Sequence, residues 1–185
     1  MARTVYYAAM SLDGYIAEPA EKLDWLMGFE GQDFDGPGTL PIRADYPAFM
    51  EGIGSLAMGS KTYEFVLNEG GWSYGDTPTW VYTRRDLPAV EGAGGLRFTS
   101  GDVADLHAEM LAAAGGKDLW VIGGGDLASQ YVAAGLLDLV QLTVVPVILG
   151  DGLPLFAEAL PRPLRLIECH PFDSGMVRLS YTVQK

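Results

Sequence analysis

The stretch DLWVIGGGDLASQYVAAGLLDLVQLTVV, Asp118 to Val145, constrains the fold more than any other part of the chain. It reads as a buried strand, a glycine turn, a short helix and a second buried strand. That alternation is the signature of an α/β unit with a parallel sheet. Gly123, Gly124 and Gly125 fall where the first strand hands over to the helix. Glycines there let the backbone approach a ligand and leave N–H groups at the helix start free for an anion. The spacing Gly123-x-Gly125-x-x-Ala128 fits the loose dinucleotide fingerprint with Ala in third place. A Rossmann unit, however, expects an acidic residue some 20 positions later, at the end of the next strand. The strand LVQLTVVPVIL offers none, and the glycine turn comes late in the chain. No GK[ST] follows the glycines, so a Walker-type loop is excluded as well.

The rest of the chain repeats the alternation. TVYYAAM (Thr4 to Met10) is a β-branched and aromatic strand that ends in the turn Ser11-Leu12-Asp13-Gly14. Residues Ala17 to Pro41 break the pattern and read as a long surface segment, of the kind that serves as a lid. In DYPAFMEGI, apolar Tyr46, Phe49, Met50 and Ile53 recur at i, i+3, i+4 and i+7, which predicts an amphipathic helix over 45–53 with Pro47 in its first turn. A strand over Leu56 to Met58 leads into a helix opening near Ser60. Strands follow at Thr77 to Thr83 and Leu96 to Ser100, then a helix capped by Ser100 or Asp102 and stopped by Gly115-Gly116. The opening stretch supplies a strand at Leu119 to Ile122, a helix from Asp126 to Ala134 and a strand at Leu139 to Leu149. The tail is a hairpin, LRLIECH and MVRLSYTVQ flanking PFDSG. The expectation is one domain over residues 1–185, α/β, with a mostly parallel sheet and an antiparallel end.

Charge and cysteine content narrow the partners. Lys plus Arg number 12 against 24 Asp plus Glu, a net charge of −12. Such a field repels nucleic acid and anionic membrane. With one cysteine, Cys169, and two histidines, His107 and His170, neither a disulfide nor a Cys/His metal centre is expected. The N-terminus does not read as a signal peptide and no apolar run is long enough for a membrane span, so the reading is cytoplasmic.

An anionic ligand would therefore need a local basic patch. Ligands of open α/β sheets bind beyond the carboxyl ends of the strands, and four such ends carry polar groups here: Ser11 to Gly14, Gly59-Ser60-Lys61-Thr62, Thr83-Arg84-Arg85, and the glycine triplet with Asp126. Two helix starts and three cations suit a molecule with several phosphates, and a dinucleotide is the economical choice.

Taken in order, SLDGYIA, LAMGSKTYE, WVYTRR, VIGGGDL and LTVVPVILGDGLPLF resemble the dihydrofolate reductase-like superfamily. The branch they are most similar to is the stand-alone form of the reductase domain of the bifunctional riboflavin-biosynthesis deaminase–reductase. The zinc deaminase signature is missing. The resemblance implies a three-layer sandwich with a mostly parallel twisted sheet ending in an antiparallel C-terminal hairpin. It implies NADPH lying across the strand ends, hydride transfer to a pyrimidine- or pterin-related small molecule, and an activity like that of 5-amino-6-(5-phosphoribosylamino)uracil reductase. Relatives of this branch are often homodimers, and the apolar strand at Leu139 to Leu149 is the expected contributor to such an interface.

Carried over residue by residue, the resemblance puts Ala9 and Ile16 beside the nicotinamide. Gly59, Ser60, Lys61 and Thr62 stand at a helix start near the phosphates, and Thr83, Arg84 and Arg85 surround the 2′-phosphate. Ile122, Gly123, Gly124, Gly125, Asp126 and Leu127 form the turn against the pyrophosphate, where the family commonly has a strained Gly-Gly bond. The family usually has Arg at the position of Ser60, which leaves Arg84, Arg85 and Lys61 to supply that charge. Asp45 falls close to the acid that folate reductases carry ahead of the second strand, and Asp13, in the loop beside the site, is a second catalytic candidate. Trp25, Tyr46 and Phe49 are candidates to line a flat-ring pocket.

Each residue also has a structural reading. The glycines suit a tight turn, Arg84, Arg85 and Lys61 suit solvated charge, Asp45 suits an N-cap, Asp13 suits its turn, and the aromatics suit a core. His107 reads as solvated, Cys169 and His170 as packed. Two further functions stay open: a true dihydrofolate reductase, and a non-catalytic nucleotide-binding protein that keeps the cleft without the chemistry.

Overall fold

The computed structural model describes residues 2–27, 29, 41–160 and 162–184. Eight strands form one sheet in the order β5-β4-β3-β6-β1-β7-β10-β9. They are β1 (Thr4–Ser11), β3 (Ile53–Gly59), β4 (Thr79–Tyr82), β5 (Leu96–Thr99), β6 (Asp118–Gly123), β7 (Leu139–Val145), β9 (Arg165–Pro171) and β10 (Val177–Thr182). The first six are parallel, β10 runs antiparallel to β7, and β9 antiparallel to β10. Two short strands, β2 (Tyr15–Ala17) and β8 (Leu153–Pro154), pair separately.

Helices cover both faces, and strand alternation decides which residues meet them. Val5 and Tyr7 of β1 join Leu56, Trp120 and the α2 residues Tyr46, Phe49 and Met50, where α2 is Pro41–Glu51. On the same face Tyr63 and Leu67 of α3 (Ser60–Glu69) pack on Met58 and Val81. Trp25 of α1 (Asp24–Met27) packs there on Val145 and Met176. Tyr6 faces the other way, into a core with Val103 and Met110 of α4 (Val103–Ala113) and Leu127, Ala128 and Tyr131 of α5 (Gly125–Ala133). The three layers, the parallel sheet and the antiparallel hairpin agree with the sequence reading.

Several boundaries moved for identifiable reasons. The amphipathic helix runs over Pro41–Glu51, so Pro47 lies in its interior. Ile53 leaves it to pair with Asp118 in the sheet, after a turn closed by the Gly52 N–H on the Phe49 carbonyl at 3.0 Å. β7 stops at Val145 because Pro146 has no N–H to continue the ladder. It lies between β1 and β10, so its backbone edges are occupied within the chain and cannot pair with a second copy. Within 17–41, β2, a 3-10 turn at Pro19–Glu21 and α1 are ordered elements, and Trp25 and Phe29 are buried rather than surface residues. Residues 28 and 30–40 of that segment lie outside the described residues. His107 is half-buried, its Nε2 2.7 Å from Thr4 Oγ1, so it is not a solvated surface group. Cys169 and His170 are exposed because β9 is the sheet edge. No helix among the described residues is long and apolar enough to cross a membrane.

Candidate active site

The parallel strands end on one side of the molecule, and the loops there enclose a cleft of about 1390 Å³. Two helices begin at its wall. α3 starts after Gly59 and α5 after Gly124, and neither N-cap side chain closes the first turn, because both caps are glycine. In α5 the first helical bond runs from the Ala128 N–H to the Gly124 carbonyl at 3.1 Å. The N–H groups before it are left for another acceptor. α4, whose first turn is not part of the cleft wall, is by contrast capped by Asp102, which accepts from the Ala104 N–H at 2.8 Å.

The glycine triplet has a specific geometry. The peptide between Gly123 and Gly124 is cis. A Cβ on Gly125 would lie 2.5 Å from the Pro154 carbonyl oxygen and 2.8 Å from that of Leu155. No larger residue fits between α5 and the 153–155 segment, which itself forms part of the wall through Leu153 and Pro154.

Ala9, Ile16, Gly59, Ser60, Lys61, Thr62, Thr83, Arg84, Ile122, Gly123, Gly124, Gly125, Asp126 and Leu127, together with Tyr46, all line this cleft. The structure thus brings together residues that the sequence scatters over more than 100 positions. The three cations differ in what they touch. Lys61 Nζ is 3.0 Å from Glu21 Oε2, which arrives from the 3-10 turn. Arg85 is held bidentately by Glu64, at 3.1 and 2.7 Å, and is not part of the wall. The same pair holds the Glu64 carboxyl below its ordinary range. Arg84 is exposed at the cleft with no protein partner among the described residues. Asp126 accepts from Gln130 Nε2 at 3.0 Å.

Three further candidates, Asp13, Trp25 and Phe49, are not part of the wall. Asp13 accepts from Ser11 Oγ at 2.7 Å, from the Leu149 N–H at 3.1 Å and from the Gly150 N–H at 2.7 Å. These bonds clasp the β1–β2 turn to the loop after β7, and the Ser11 bond leads in holding the Asp13 carboxyl below its usual value. Trp25 packs in the core beside Val145. Phe49 lies under Tyr7 and Trp120, with ring centroids 4.4 and 5.1 Å away. Asp45 falls in the interior of α2 rather than at its cap, and its side chain lies outside the described residues.

Sequence reasoning missed a further part of the wall. Tyr7, Tyr74 and Trp120 line the cleft on the α2 side, Leu23 and Leu26 line it from the α1 segment, and Ser100 and Gly101 close it beyond β5. Tyr74 precedes β4 in a loop without periodicity, so only the fold could place it. Among the described residues no group of three or more His, Cys, Asp or Glu could hold a metal ion.

Residues 72–178 match the model of the RibD C-terminal domain family. The chain is 31% identical over 163 residues to the uncharacterized protein YwjB of Bacillus subtilis (strain 168), which covers 84% of this chain and 83% of that one. It is 25% identical over 161 residues to the riboflavin biosynthesis protein RibD of Corynebacterium ammoniagenes. That match takes in 85% of this chain but 47% of RibD, so the chain spans about half of that relative. Among solved structures, a protein proposed for riboflavin biosynthesis from Shewanella sp. PV-4 superposes with a TM-score of 0.80 at 28% identity, covering both chains completely. Dihydrofolate reductase from Enterococcus faecalis, complexed with NADP(H), shares the fold with a TM-score of 0.62 at 18% identity over 97% of this chain and 95% of its own.

Proposed function

The chain belongs to the RibD C-terminal domain family, and from that premise we propose that it is an NADPH-dependent reductase of a pyrimidine- or pterin-related small molecule. The observation that carries this reading is the pair of glycine-capped helix starts, α3 and α5, opening on one cleft beside Arg84, which has no protein partner among the described residues. Uncapped N–H groups and the positive ends of two helix dipoles favour an anion with more than one phosphate. Gly125 keeps that wall free of side chain. The residues present therefore fit a dinucleotide.

In this reading the N–H groups of Gly125 and Asp126 and those opening α3 hold the phosphates. Arg84 takes the 2′-phosphate, a charge-assisted contact worth roughly 1.5–3 kcal/mol. Ala9 and Ile16 border the nicotinamide, which when bound supplies a hydride. The aromatic α2 side holds the acceptor ring flat and excludes water, and α2 carries Asp45 as the candidate proton donor. Asp13 positions the β1–β2 turn, and with it Ile16, rather than touching the reacting atoms. Cytoplasmic residence and a homodimer complete the proposal.

The test is titration with NADPH and, separately, NADH, followed by quenching of tryptophan fluorescence, with Trp120 in the wall as reporter. The expected result is tighter binding of NADPH than of NADH, with Arg84→Ala removing most of the difference. Equal affinities in the parent protein would show that Ser60 leaves the 2′-phosphate unread. If neither dinucleotide binds, the reductase reading is lost.

A further inference from the structure

The fold treats the arginines that follow β4 differently, and α3 is the cause. The Thr83 hydroxyl closes the turn, accepting from the Arg85 N–H at 2.9 Å and donating to the Arg85 carbonyl at 3.2 Å. From that fixed backbone Arg84 lines the cleft. The Arg85 guanidinium instead reaches Glu64 of α3, Nη1 to Oε1 at 3.1 Å and Nη2 to Oε2 at 2.7 Å. This is the forked geometry with which an arginine grips a phosphate. In Arg85 the fork is used on a carboxylate of the same chain.

Glu64 is itself a wall residue, so the group it holds stands directly behind the cleft lining rather than on a remote surface. Arg85 keeps the Glu64 carboxyl below its ordinary range, and the partner stays charged at neutral pH. Lys61, three residues earlier on the same helix, is paired with Glu21 at 3.0 Å. On this side of the cleft the pairs Glu21–Lys61 and Glu64–Arg85 therefore cancel, and Arg84 is left as the net positive charge. Glu21 is already engaged, so Arg85 without Glu64 would be a second cation here.

NADPH differs from NADH by one dianionic group on the adenosine ribose. A contact with the phosphates that both carry raises both affinities alike, and only a contact with the extra phosphate separates them. A phosphate that takes Arg85 must first break its pair with Glu64 and then lie beside the carboxylate left behind. Both steps act against the ligand that carries the extra phosphate.

We propose that Glu64 is a specificity-determining residue that works against the 2′-phosphate. It withholds Arg85, so that this phosphate is read through Arg84 alone. The assignment rests on the reductase reading and deepens it, since it sets how strongly the cleft prefers NADPH to NADH.

The experiment titrates the full chain with NADPH and with NADH, followed by quenching of tryptophan fluorescence. It compares the parent with Glu64→Gln, with Arg85→Ala and with the double variant. Glu64→Gln is expected to raise the ratio of NADPH to NADH affinity about fivefold, the size that an exposed charge pair reaches. NADH affinity should stay nearly constant. In the Arg85→Ala background the same substitution should change the ratio by no more than about twofold, because the group it releases is gone. Glu64→Ala repeats the test, so that poor folding of one variant leaves the other to decide. A ratio that neither Glu64 variant changes would overturn the proposal. So would an equal rise in the Arg85→Ala background, which would assign the effect to the Glu64 charge and not to Arg85. Binding of neither dinucleotide by the parent would sink the reductase reading and the proposal with it, whereas binding of both with an unresponsive ratio sinks the proposal alone.

Discussion

Gly125 and Asp13 show how much of this cleft is set by single residues that need touch no substrate. A methyl group on Gly125 meets two carbonyl oxygens of the 153–155 segment, and neither belongs to a flexible side chain. Gly125→Ala is therefore expected to destabilise the protein by about 1–3 kcal/mol, as overpacking does, read as a lower urea midpoint. Dinucleotide affinity should fall with it, since α5 must move off the wall. Asp13 acts through its three acceptor bonds. They hold its folded pKa below the ordinary value, so its contribution is present above the unfolded pKa of about 3.9 and fades as pH falls through the lower folded value. Asp13→Asn should lower the Tm at neutral pH, and the difference from the parent should shrink on acidification below pH ~4. A constant difference across that range would show that the carboxylate charge plays no part in the clasp.

At the scale of elements, the starts of α3 and α5 lack a device that α4 has. Gly59 has an ordinary extended backbone, φ −79 and ψ 164, and open space where a Cβ would go. Nothing steric demands glycine there. Gly59→Asp would supply the missing cap and is expected to raise stability by a few tenths of a kcal/mol. The same carboxylate would stand where a phosphate is expected, so NADPH affinity should drop at least tenfold while the Tm rises slightly. A variant that gains stability and keeps its affinity would remove the α3 start from the site. The strand, turn and helix signals of these elements were legible in the sequence because period, caps and glycines are local: TVYYAAM, the Ser60 helix start and the GGG turn all lie where their patterns put them. What was not legible depended on tertiary pairing. Ile53 has the helical spacing of its neighbours, but its place beside Asp118 in the sheet took it out of the helix. Tyr74 and Trp120 became wall residues only once β4 and β6 were laid beside β3. Arg84 and Arg85 are indistinguishable in sequence, and Glu64, one helix turn beyond Lys61, separates them in space.

For the whole molecule the governing quantity is a net charge of −12. The proposed dinucleotide is an anion, so the far field would oppose its approach. Near the cleft the charges nearly balance, because Glu21 lies against Lys61, Glu64 against Arg85, and Asp126 stands at the start of α5. Arg84 alone is unopposed by a close carboxylate among the described residues. Short-range attraction to one guanidinium survives added salt far better than long-range repulsion from the whole surface does. The Debye length falls from about 30 Å at 0.01 M to about 8 Å at 0.15 M ionic strength, which is shorter than the molecule is wide. The association rate of NADPH, measured by stopped-flow fluorescence, should therefore rise over that range, opposite to the behaviour of an enzyme that steers its anionic ligand with a basic surface. The dissociation rate should change less, since it reports the contacts inside the cleft. An association rate that falls with salt would mean that the local basic groups dominate the field an approaching ligand meets, and that the carboxylates of Glu21 and Glu64 swing away from their partners before it arrives.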